Sequence, residues 1–232
     1  MATPEPASGN DKQNGPRSRK GAATRARLLA AAKEIFEEDG FLDARISDIA
    51  ERAGLSHGSF YHYFESKEEV FREVADAVEE SLREPMDTII LSPDSTLSPL
   101  ERITEGIRVH MESYRREARI MGVIEMMARY DGHTRAVRNQ RRKQGAEQVA
   151  VAIRQLQTHG MADPDIDPRI AADVLGSMTS RFPEMWFVEG QTDVDFERGV
   201  EQLTRIFTNA LGLKDTAAKP RQRRAGPRAA RP

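Results

Sequence analysis

Residues Ile46 to Phe64 read I-S-D-I-A-E-R-A-G-L-S-H-G-S-F-Y-H-Y-F, and the spacing within them decides the fold. Ile46, Ile49, Ala50 and Ala53 recur at helical intervals, and Gly54 follows them, the residue type that most easily takes a positive φ at a helix end. Ser56 is a good N-cap for a second helix, on which Phe60, Tyr63 and Phe64 recur every three to four residues. Two short helices joined by a Gly-containing turn form a helix-turn-helix. Ala50 before the turn and Phe60 after it let the helices cross steeply, with a small residue at the crossing and Phe60 in the corner. His57, Ser59, Tyr61 and His62 point away from that corner, and all four can hydrogen-bond to phosphates or base edges. The same residue types also suit an ordinary surface helix, and it is the spacing that favours nucleic acid.

The flanks support this unit. Thr24 can cap a helix running to about Asp39, with Leu28, Ala32, Ile35 and Phe36 on its buried face and Gly40 as its stop. After the motif, S-K-E-E at 66–69 has the form of a capping box, in which Ser66 caps the Glu69 amide while Glu69 reaches back. It opens a long helix striped by Val70, Phe71, Val74, Ala77, Val78 and Leu82 and ending near Pro85 or a few residues beyond.

From about Ala22 to Glu84, the blocks R-L-L-A-A-A-K-E-I-F-E-E-D-G-F, the turn, and Y-H-Y-F-E-S-K-E-E-V-F resemble the N-terminal DNA-binding domain of the TetR family of bacterial transcriptional regulators. The resemblance covers about a quarter of the chain. It implies an all-α protein, with a three-helix helix-turn-helix DNA-binding domain followed by a helical ligand-binding and dimerisation domain. It further implies a homodimer on a palindromic double-stranded DNA operator, repressing until a small effector releases it. Carried onto this chain, the DNA contacts are Arg45, Ser47, Ser56, His57, Gly58, Ser59, Tyr61, His62 and Lys67, with Lys67 placed beside exposed amides at a helix start to meet a phosphate. One position departs from the family. Where a Ser or Thr usually caps the first motif helix and touches phosphate, this chain has Arg45, which cannot accept the capping bond. Asp43 or Ser47 is left to cap, and Arg45 offers the phosphate a charge instead.

Composition sets the bounds. The 232 residues, 38% apolar, suffice for one large domain or two modest ones. With no cysteine the chain has no disulfide scaffold, thiol catalysis or Cys-ligated zinc, and with no long apolar run or signal peptide the expectation is a cytoplasmic protein away from membranes. A net charge of -2 hides an asymmetry: residues 1–21 hold four basic and two acidic side chains, residues 214–232 seven and one, so the segment between is acidic. Positive charge is concentrated locally, because Lys12 to Lys33 holds seven basic residues without an acid and Arg52 to Phe64 holds no acid either.

These patterns divide the chain into four parts. Residues 1–21 and 214–232 are expected to be disordered basic tails, 22–84 the DNA-binding domain and 85–213 the helical effector-binding and dimerisation domain. Arg17, Arg19 and Lys20 can either touch DNA as a basic arm or stay solvated. Leu91 to Ser98 is a Pro- and Ser-containing loop, after which helices are expected over 99–116, 117–130, 133–158, 168–189 and 194–211, with Pro183 kinking or splitting the fourth. The basic run 131–143 is either a solvated face or a rim for an anionic ligand. Met111, Tyr114, Met127 and Phe182 are the candidate pocket lining, where methionine can adapt to a flexible apolar ligand, although such a stripe equally suits plain core. Met185, Trp186 and Phe207 are the candidate dimer contacts, with intrachain core as the alternative.

Catalysis finds no constellation here. The five histidines are scattered, and H-E-x-x-H, G-x-S-x-G and a phosphate loop are all missing, so no catalytic residue, metal site or cofactor is expected. The competing reading is a DNA-architectural protein that senses nothing, and it is distinguished by binding that follows charge alone.

Overall fold

The computed structural model describes residues 19–90 and 96–213, apart from the side chains of residues 84–90. Residues 1–18, 91–95 and 214–232, which take in most of the expected tails and loop, lie outside the described residues. Among the described residues the regular elements are all helical: α1 (Arg19–Asp43), α2 (Ile46–Arg52), α3 (His57–Phe60), α4 (Lys67–Ile90), α5 (Pro99–Arg116), α6 (Ala118–Tyr130), α7 (Gly132–Thr158), α8 (Pro168–Pro183), a π-helical turn (Glu184–Val188) and α9 (Phe196–Ala210). Contacts divide the chain into a head ending at Asp76 and a body beginning at Ala77, so α4 contributes to both.

In the head, Leu28, Ala31, Ala32, Ile35 and Phe36 fall on one face of α1, and all are buried. Gly40 breaks that helix with φ 73° and ψ 175°, which lets Phe41 fold back onto Phe36 and Phe71, at ring separations of 5.8 and 5.0 Å. Thr24 is not the N-cap. The helix extends back to Arg19, and the Thr24 hydroxyl donates to the Lys20 carbonyl at 3.0 Å, an interior bond to the preceding turn. Arg19, Lys20 and Gly21 are therefore helical rather than part of a tail. At the start of α4 the capping box is half as expected: the Glu69 amide donates to the Ser66 hydroxyl at 3.1 Å, but the Glu69 carboxylate reaches the Glu65 amide instead of that of Ser66.

Four of the body's helix starts, those of α5, α7, α8 and α9, are capped by side chains, while α6 has no side-chain cap. Ser98 and Glu101 form a reciprocal box on α5, while Asp131, Asp167 and Asp195 accept amide bonds at the starts of α7, α8 and α9. Ile107, Met111, Ile153, Leu175 and Val200 are among the side chains of the shared core. Pro183 ends α8 because it cannot donate a helical hydrogen bond, and the chain continues as a π turn in which the Glu189 amide donates to the Glu184 carbonyl at 3.0 Å. That turn carries Trp186 inward against Gly199 of α9, where a Cβ would lie 2.2 Å from the indole ring.

Charge is buried here too. Arg138, 8% exposed, joins Glu79 of α4 through Nε at 2.6 Å to Glu125 of α6 through a bidentate pair. Burial pushes the Glu125 carboxyl up, but the hydrogen bonds and charge of Arg138 outweigh it and hold the group below its ordinary range. His110 sits between the carbonyls of Thr179, 2.9 Å from Nε2, and Leu82, 3.5 Å from Nδ1, and burial lowers its pKa.

Candidate nucleic-acid interface

The helix-turn-helix is closed by backbone bonds that its sequence foreshadows. Past α2, the Gly54 amide donates to the Glu51 carbonyl and the Leu55 amide to that of Ala50, each at 2.9 Å, with Gly54 at φ 67°. This paired closure needs a left-handed residue, which glycine adopts without a Cβ clash. The Ser56 hydroxyl then accepts the Ser59 amide at 3.3 Å and starts α3. The α-helix is shorter than its apolar spacing implied: it stops at Phe60, and turn bonds from Tyr63 and Phe64 to the Phe60 carbonyl carry the chain onward.

Those turn bonds keep the two faces apart. Phe60 and Phe64 are buried, at 0% and 1% exposure, with their rings 5.6 Å apart. Ser56, His57, Gly58, Tyr61 and His62 are exposed and Ser59 is half-buried, with the His57 and Tyr61 rings edge to face at 5.4 Å. The exposed surface is thus a row of polar hydrogen-bonding side chains that includes the aromatic rings of His57 and Tyr61. It is suited to reading an edge rather than to attracting charge.

The surrounding cations are arranged less simply. Arg45 occupies the N-cap position of α2 with no capping bond from its side chain, which is exposed and has no partner among the described residues. Neither Asp43 nor Ser47 takes over the cap; the Ser47 hydroxyl donates to Asp48 at 2.9 Å. Arg52 bridges Glu38 and Glu34, whose hydrogen bonds, Glu38 first, raise its pKa. Arg25 stacks over Phe64 at 4.7 Å and pairs with Glu73. Lys67 departs from the expectation. Its ammonium donates to the carbonyls of Phe41, Leu42 and Ala44 at 2.7, 3.1 and 2.8 Å, so it is occupied by backbone rather than open to phosphate.

The body's candidates are also redistributed. Met111, Tyr114 and Met127 are buried side chains, and of the four expected pocket residues only Phe182 lines the groove of about 790 Å³ between α8 and α9. The Tyr114 hydroxyl is buried with no hydrogen-bond partner among the described residues, and burial, then the nearby Glu125 and Glu184, raises its pKa. Of the expected dimer contacts, Met185 lines the groove, whereas Trp186 and Phe207 belong to the chain's own core. The reason is Gly199, whose missing side chain makes room for the indole. Sequence reading missed Val174 and Ile206, 53% and 54% exposed on the groove. Their signal was present as apolar residues on the outer faces of α8 and α9.

Residues 28–74 match the model of the family described as bacterial regulatory proteins, tetR family. The head carries a TetR-family domain. UidR of Escherichia coli K12, an HTH-type transcriptional regulator, is 29% identical to this chain over 162 residues, 67% of this chain and 78% of its own. The HTH-type transcriptional repressor KstR2 of Mycobacterium tuberculosis H37Rv is 40% identical over 83 residues, covering 34% of this chain and 38% of its own. Two uncharacterized HTH-type regulators of Bacillus subtilis match over 72 and 89 residues, which span only 37% and 42% of their lengths. The crystal structure of a putative TetR-family transcriptional regulator from Mesorhizobium loti shares the fold at a TM-score of 0.70 and 16% identity, over 84% of this chain and 98% of that one.

No described helix is long and apolar enough to cross a membrane.

Proposed function

We propose that this TetR-family protein is a transcriptional repressor that binds an inverted-repeat DNA operator as a homodimer in the cytoplasm and is released by a small, apolar effector. The observation that carries this reading is the division of faces at α3: Phe60 and Phe64 hold the head together, while His57, Tyr61 and His62 stand free of it. The dimer is supported by the open face of α8 and α9, where Val174, Met178, Met185 and Ile206 line an apolar groove that a symmetry mate would cover. Two copies of one head on a two-fold axis require a repeated half-site. The effector reading is supported by the buried, unpartnered Tyr114 hydroxyl, which a ligand's polar atom would satisfy.

Tyr61→Phe tests the reading at its centre. Removing one hydroxyl hydrogen bond should lower operator affinity by roughly 0.5–1.5 kcal/mol and leave the melting temperature unchanged. A lower melting temperature with unchanged binding would place Tyr61 in the fold rather than on DNA. Binding that ignores sequence would favour a DNA-architectural protein.

A further inference from the structure

Lys67 has the residue type and the place of a phosphate contact, but its geometry serves another purpose. An ammonium has three hydrogens, and three carbonyl oxygens take them: Phe41 at 2.7 Å, Leu42 at 3.1 Å and Ala44 at 2.8 Å. The Phe41 ring covers a further side, 4.7 Å away. These oxygens lie just beyond the break at Gly40, on backbone that ends one helix and leads into the next. Withdrawing Lys67 toward a phosphate would leave them without that donor, two of the bonds being partly buried.

The segment held this way leads into the motif. Ala44 is followed by Arg45, whose carbonyl starts α2 by accepting the Asp48 and Ile49 amides at 3.1 and 3.2 Å. Arg45 and Ser47, both exposed, sit one and three residues beyond the last carbonyl that Lys67 grips. We infer that Lys67 is a positioning residue for DNA contact: it fixes the corner from Phe41 to Ala44, and so the aim of Arg45, and does not itself touch phosphate. Arg45 is then the cation that this corner presents. The inference rests on the DNA-binding reading above and adds to it a division of labour between the two cations.

The experiment is a double-mutant cycle on the full chain, with the operator it selects from random DNA, measured at several salt concentrations. Arg45→Ala should weaken binding about fivefold or more and reduce the salt slope by about one unit. Lys67→Met should do the same, because it misaims Arg45. The double variant should bind within about twofold of Arg45→Ala alone, since a misaimed residue that is already absent costs nothing further. Multiplying losses with a slope reduced by about two units would show that Lys67 contacts phosphate and would overturn the inference. Should Lys67→Met fail to fold, Lys67→Gln carries the same cycle, because an amide can still donate to carbonyls but brings no charge. Near-normal binding by Lys67→Gln supports positioning, and a loss equal to that of a missing phosphate contact contradicts it. If the wild-type chain selects no sequence at all, it is the DNA-binding reading that fails.

Discussion

Two enclosed cations show how differently the head and the body are built. Lys67 in the head is held by neutral carbonyl oxygens and an aromatic ring, whereas Arg138 in the body is held by two carboxylates, Glu79 and Glu125. The head's interior holds two groups of phenylalanine rings, Phe36 with Phe41 and Phe71, and Phe60 with Phe64, and no carboxylate is buried among the described residues of the head. A frame of that kind responds little to pH. The body keeps an ion-pair network that bridges three helices, α4, α6 and α7, and its carboxylates make it sensitive to pH.

The sharpest break of this contrast is Phe60→Ala. A side chain with no exposure leaves a cavity at the crossing of α2 and α3, and the loss of roughly 3–5 kcal/mol should be seen in chemical denaturation. Arg138→Met comes next. It leaves Glu79 with Arg141 alone and Glu125 with only the more distant Arg142, and should cost up to about 3 kcal/mol at neutral pH, with a smaller loss in acid, where the under-paired carboxylates take up protons. An equal loss at every pH would mean that packing rather than charge holds Arg138.

Acid should separate the two regions further. Glu125 has a folded pKa below its unfolded one, so its contribution is present above the ordinary carboxylate value and is lost as pH falls through the folded value. His110, also depressed, acts in the same direction from a higher pH, because the unfolded chain takes up the proton first. Melting curves from pH 7 to pH 3 should therefore fall, and Glu125→Gln should flatten the lower part of that fall while starting from a lower melting temperature. The smallest effect belongs to the head. Ser56→Ala removes the α3 cap and should cost about 1 kcal/mol, with no change in the shape of the pH profile.

The contrast also explains what could be read from sequence. The cap at Ser56, the turn at Gly54 and the plug at Phe60 rest on neighbours a few residues away, so local spacing reveals them. Helix bounds in the body were equally legible, because Ser98, Asp167 and Pro183 act within one turn of themselves. The carbonyl contacts of Lys67 were not legible because its partners lie 23 to 26 residues upstream and are backbone oxygens, which carry no residue-specific signal. For Trp186 and Phe207 the sequence left interface and core open for a related reason. An aromatic residue suits an interface and a core alike, and only the approach of Gly199 decides where the indole goes. Arg138 lay within a basic run read as a solvated face or an anion-attracting rim, and nothing local distinguishes it from the exposed Arg142 beside that network.

The central claim is that the exposed row on α3 reads a specific sequence from a two-fold dimer. It is tested most directly by selecting binders from random DNA and then titrating the winner and an unrelated duplex at one fixed salt concentration. The account predicts an inverted repeat bound by an even number of chains, with affinity at least roughly 10³-fold above that for the unrelated duplex. Equal affinity for both duplexes, falling together with added salt, would contradict it.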